Sequence, residues 1–186
     1  MSKRKHFVIE LILLIVILVL NASCTSMYWT YKKQKGELVR ENQAKWTMIY
    51  EMTQEIETYF VRSDDWTKVE QFWVYVRGIT HYDGMDTLEP QFSGMFLTQY
   101  DQLFSSLCVD DEYIKGYEEE GFRIFSNMNR ELKQISKSVL EKIEHGENFM
   151  NPKSEEYKET TKELQELCEK YEKILNEYYE KIDYGA

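Results

Sequence analysis

The residues able to do chemistry in this chain are few and far apart. Its three histidines stand at 6, 81 and 145. A di-iron site in a helical protein needs Glu-x-x-His on two helices, with further inward glutamates. Glu141 and His145 come nearest, one residue too far apart and present once. Asp83-Gly84-Met85-Asp86 offers oxygen atoms without the ordered ligand series and closing glutamate of a calcium loop. Asp110, Asp111 and Glu112 read as acids placed at a helix start, where the dipole favours them. Ser105 and Ser106 lack a base at recognisable spacing, and no glycine-rich phosphate loop is present. Cysteines at 24, 108 and 168 fit neither a zinc site nor a CxxC redox pair. The expectation is no enzyme, no metal and no cofactor.

Two cysteines have a structural use instead. In an oxidising compartment Cys108 and Cys168 can bridge two helices as a disulfide. The competing role for Cys168 is that of a buried thiol, packed as a small hydrophobe.

What must position everything else is the stretch Phe7 to Ser26. Ten apolar residues run unbroken from Leu11 to Leu20, with Phe7, Val8 and Ile9 before them and Glu10 between. About twenty helical residues span the roughly 30 Å of a bilayer's hydrocarbon core. Lys3, Arg4 and Lys5 precede the stretch, while Tyr28, Trp29 and Tyr31 follow it. Cations on the cytoplasmic flank and amphipathic rings at headgroup depth mark an anchored helix. Lys32, Lys33 and Lys35 lie on the far side as well, so the orientation rests on a small difference of charge. The expected topology is a short cytoplasmic tail (1–6), an anchor (7–26), a juxtamembrane stalk (27–36) and an extracytoplasmic domain (37–186).

Two other fates compete for the same residues. Leu20-Asn21-Ala22-Ser23-Cys24 resembles a bacterial lipobox, which implies lipidation at Cys24; the pattern departs at Asn21, where an aliphatic residue is usual. The third fate is an ordinary cleaved secretory signal with Ala22 near the cut.

About 150 residues remain after the anchor, enough for one domain with a sizeable core. The chain's net charge is −10, and beyond residue 35 it holds 17 bases against 32 acids, a net of −15. Such a surface repels phosphate backbones and anionic bilayers, which disfavours nucleic acid as a partner. Two prolines and a high aromatic content argue for a packed interior.

Apolar spacing is helical throughout, and the predicted class is all-α: an antiparallel helical bundle with heptad-like seams behind the N-terminal helix. One seam runs Val39, Asn42, Trp46, Ile49, Thr53, Ile56 and Phe60, in steps of three and four. Ser63, Asp64 and Asp65 then stop one helix and cap another carrying Trp66, Val69, Trp73 and Val76. After the loop 81–89, Phe92, Phe96, Tyr100, Leu103 and Leu107 form a helical face. A long helix is expected from about Asp110 to Glu144, weakened early by Gly116 and Gly121. The last helix, capped by Ser154, steps through Tyr157, Thr161, Leu164, Cys168, Tyr171, Leu175, Tyr178 and Ile182 without a slip, with Glu and Lys between.

Trp66, Trp73, Tyr82, Phe92, Phe96 and Tyr100 gather enough aromatic surface to line a ligand pocket between short segments. They serve equally as the core end of the bundle, which makes a small-molecule ligand the lesser expectation. The functional expectation is a membrane-tethered module that binds a protein partner or itself through its helices. A sensory or ligand-binding ectodomain is the alternative. With no second apolar span in sight, it would have to signal through a partner.

Overall fold

A computed structural model describes residues 3–62, 76–78, 92–108, 114–145 and 153–185; within these, the side chains at 3–9, 11, 38, 59–62, 93, 108, 144, 145, 184 and 185 are not described. The fold is all-helical, with no strand among the described residues. Helix α1 covers Lys3–Arg62, so the apolar N-terminal segment and the first seam belong to one helix. Gly36 lies inside it with open space where a Cβ would stand, a glycine the helix tolerates. A π-helical turn at Phe92–Phe96 leads into α2 (Leu97–Cys108), followed by α3 (Glu118–His145) and α4 (Glu155–Gly185). The chain divides into two compact units, Met1–Glu41 and Asn42–Ala186.

In the second unit, α2 packs on α3, α4 packs on α3, and α4 packs on the π turn. The core draws Trp46, Ile49, Met52 and Ile56 from α1, Phe92 and Phe96 from the turn, and Tyr100, Leu103 and Phe104 from α2. Facing helices add Phe125, Met128, Leu132 and Val139 from α3, and Leu164 to Ile182 at three- and four-residue steps from α4. Fully burying one such side chain is worth about 1.5–3 kcal/mol.

Ion pairs join α3 to α4: Glu120 with Lys181 at 2.7 Å, Glu131 with Lys170 at 2.6 Å, and Lys142 with Glu163 at 3.5 Å. Numbers rise along α3 as they fall along α4, so these two helices run in opposite senses. Each half-exposed pair contributes about 0–1 kcal/mol. They select the register, and apolar burial supplies the stability.

The local starts of the helices follow from single residues. Ser154 caps α4, its hydroxyl accepting the Tyr157 N–H at 3.2 Å. The helix expected from about Asp110 begins at Glu118 instead. Gly116 has φ +90°, a left-handed conformation that glycine adopts without strain. There the Tyr117 N–H closes a turn on the Ile114 carbonyl at 2.9 Å, and the Gly116 N–H donates to the Glu118 carboxylate at 2.7 Å. Glu118, Glu119 and Glu120 then fill the first turn, where the positive end of the helix dipole favours them.

Candidate functional site

In the first unit the functional feature is the apolar stretch of α1. Ile12 to Leu20 are each between 48% and 59% exposed, on every side of the helix. A helix buried in a globular core loses that exposure, and a surface helix keeps a polar face. This one does neither. Among the described residues it is long and apolar enough to cross a membrane, and a signal sequence satisfies the same criterion. Tyr28, Trp29 and Tyr31 are equally exposed two turns on, with the Lys32 ammonium 5.8 Å from the Trp29 ring centre. Thr25 and Thr30 donate their hydroxyls to the carbonyls of Asn21 and Ser26 at 2.8 and 3.0 Å. Cys24 is exposed and lies within the helical run.

In the second unit the aromatic residues form a continuous stack. Trp46 lies on Phe92 with ring centres 5.4 Å apart, Phe92 on Phe96 at 5.5 Å, and Phe96 edge-on to Tyr171 at 5.7 Å. Tyr100 and Phe104 each meet Phe125, at 4.8 and 5.0 Å. Of the six residues considered for a ligand pocket, Phe92, Phe96 and Tyr100 are fully buried here, packed against other rings. Trp66, Trp73 and Tyr82 lie outside the described residues.

A buried polar chain runs beside the rings. The Tyr100 hydroxyl donates to Asn129 Oδ1 at 2.6 Å, and Asn129 Nδ2 donates to the Thr53 carbonyl at 3.0 Å. Three helices are thereby tied by one amide, since Thr53 is on α1, Tyr100 on α2 and Asn129 on α3. Burial in this apolar setting pushes the Tyr100 hydroxyl well above its usual pKa. The Tyr171 hydroxyl is raised as well, first by burial and then by the nearby Glu131 carboxylate. Tyr178 is pushed up to about 12, chiefly by burial, with Tyr179, Glu120 and Glu118 adding to it. Such groups stay protonated at neutral pH, and the Tyr100 and Tyr178 hydroxyls act here as hydrogen-bond donors.

A cavity of about 580 Å³ opens between α3 and α4, lined by Glu120, Arg123, Arg130, Glu131, Lys170, Lys181 and the apolar Ile124 and Ile174 among others. Most of these charges already answer one another, including Glu120 with both Arg123 and Lys181. That arrangement stores no reactive group. It offers a patterned polar surface.

The other chemistry-bearing residues stay apart. No cluster of three metal-ligating side chains occurs among the described residues. Glu141 is exposed and pairs with Lys137 at 3.8 Å, while the side chain of His145 is not described. Ser105 and Ser106 are half-buried on α2. Cys168 is a buried thiol on α4; the Cys108 side chain, and with it the possible disulfide between the two, lies outside the described residues. His81, Asp83, Asp86, Asp110, Asp111 and Glu112 also lie outside. Compared with protein-family models, curated proteins and solved structures, the chain matches none.

Asn129 escaped the reading of the sequence. Its signal was present: it stands four residues after Phe125 and three before Leu132, on the apolar face of α3.

Proposed function

We propose that this chain is a membrane-tethered protein whose acidic domain, an antiparallel helical bundle with heptad-like seams, stands outside the cytoplasm and binds another protein without catalysis. The observation that carries the proposal is the unbroken aliphatic run Ile12–Leu20, open on all sides and followed by exposed Tyr28, Trp29 and Tyr31. In water that surface would be an aggregation hazard; in a bilayer it is the favourable state. The bundle reading draws support from the opposed order of the α3–α4 ion pairs and from burial at 164, 168, 171, 175, 178 and 182. Lys3, Arg4 and Lys5 favour a cytoplasmic N-terminus. The interaction role is supported by a surface whose charges form patterned pairs around a cavity and converge on no reactive group.

The lipoprotein reading keeps one supporting observation, the exposure of Cys24. It asks for a mature chain that starts within what is here a continuous helix, beside the Thr25–Asn21 hydrogen bond.

Protease added to intact cells or spheroplasts tests the topology. The proposal expects the domain to be digested from outside, leaving a small protected fragment that contains the apolar stretch. A domain protected until the membrane is permeabilised would place it in the cytoplasm and overturn the reading.

A further inference from the structure

We infer that two copies of this chain associate within the bilayer, side by side, through the face of α1 that carries Asn21. The inference rests on the membrane-spanning reading above and names its partner surface.

Leu14, Leu18, Asn21, Thr25 and Tyr28 step along α1 by four, three, four and three residues, and all are exposed. That spacing brings them onto one seam of a left-handed helix pair. Polar groups near this seam fall into two kinds. The hydroxyls of Thr25 and Thr30 donate to carbonyls four residues back, so the helix satisfies them itself. Ser23 and Ser26 can turn the same way. The Asn21 amide, with two donor hydrogens and an acceptor oxygen, makes no side-chain hydrogen bond among the described residues.

Depth makes that amide costly. At 1.5 Å per residue, Asn21 lies about 12 Å along the axis from Trp29 and about 16 Å from Glu10. On the 7–26 anchor Asn21 lies about 8 Å inside the far end, still within the hydrocarbon, where an amide without a partner is costly. Another polar group at the same depth is the available remedy, and interhelical hydrogen bonds of this kind hold membrane helices together.

A second copy fits this requirement better than a different membrane protein. Every copy enters the bilayer in the same orientation, so its Asn21 arrives at the matching depth without further specification. Across a twofold axis each amide N–H meets the other's oxygen, a reciprocal pair of bonds. One polar residue on an otherwise apolar seam also fixes the register of the pair.

Sedimentation equilibrium of the full chain in density-matched detergent micelles tests the inference, run on three proteins. All carry Cys24→Ser, because leucine at 21 would complete the lipobox pattern. One has no other change, one adds Asn21→Leu and one adds Asn21→Gln. The expected result is a dimer for the first, dissociation about three- to thirty-fold easier for Asn21→Leu, and near-complete retention for Asn21→Gln. Monomers throughout, or an Asn21→Leu dimer as tight as its parent, would overturn the inference. Alkaline carbonate extraction of membranes expressing the same proteins separates the two levels. Chains that stay in the pellet but are monomeric refute only the pairing, whereas chains released by carbonate refute the membrane-spanning reading on which it stands.

Discussion

Phe96→Ala is expected to destabilise the second unit by about 3–5 kcal/mol, the usual cost of removing a buried phenylalanine ring. Phe96 is fully buried, with Phe92, Tyr100 and Tyr171 around it at ring-centre distances of 5.5, 6.4 and 5.7 Å. Those neighbours come from the π turn, α2 and α4, so no single helix can shift to fill the space. A domain has only about 5–15 kcal/mol in hand, and the melting temperature should fall by about 10 °C or more. Thermal unfolding of the full chain in micelles, followed by circular dichroism, measures this. Glu172→Ala on the exposed face of α4 is the control and should move the transition by little. The same comparison separates core from pocket. A ring lining an open cleft could be removed at small cost, so a loss below about 1 kcal/mol would contradict the packing described here.

Gly121→Ala should destabilise even though alanine is the better helix former. The propensity gain is about 1 kcal/mol. Against it, a Cβ at this position would come within 2.6 Å of the Tyr178 hydroxyl and 3.1 Å of Leu107 Cδ2. Tyr178 cannot swing away cheaply, because it is buried and its hydroxyl donates to the Tyr117 carbonyl at 3.2 Å. Overpacking typically costs about 1–3 kcal/mol, so the net expectation is a loss of up to about 2 kcal/mol. Tyr178→Phe removes the clashing oxygen, and Gly121→Ala should cost less in that background, with a coupling of at least 0.5 kcal/mol or so. Additive losses would show that the close approach is relieved elsewhere.

Tyr178→Phe has a second readout at high pH. The hydroxyl titrates near 12 in the fold and near 10 when unfolded. Below pH 10 both states are protonated, and its contribution to stability is complete. Between 10 and 12 the unfolded chain loses the proton first, and stability falls by about 1.4 kcal/mol per pH unit for this group. Tyr100 and Tyr171 act in the same direction. The wild type should therefore lose stability steeply above pH 10, and Tyr178→Phe less steeply, in urea titrations at each pH.

Much of this fold could be read from the chain because burial follows spacing. In α4 the expected apolar positions Leu164, Cys168, Tyr171, Leu175, Tyr178 and Ile182 are all buried. Off those positions Thr160 and Leu167 are buried too, while Thr161 is only half so; the Thr160 hydroxyl accepts from Lys142 at 2.9 Å. That contact depends on how α3 lies against α4, which no local rule contains. The pairs of Lys133 with Glu57 and of Lys170 with Glu131 were hidden for the same reason. The start of α3 was misplaced because Gly116 reads as a helix weakener, while its left-handed backbone makes it the turn before the helix. On the functional side, the apolar run announced itself by composition alone. The isolation of Asn21 emerged only once the neighbouring threonines were seen to satisfy themselves.

The central claim is that the chain stays in the membrane by its own intact helix. Intact-mass spectrometry of the wild-type protein extracted from membranes tests it most directly. The account predicts an uncleaved, unlipidated chain of 22.5 kDa. A lipid-modified species beginning at Cys24, or a shorter chain recovered outside the membrane, would contradict it.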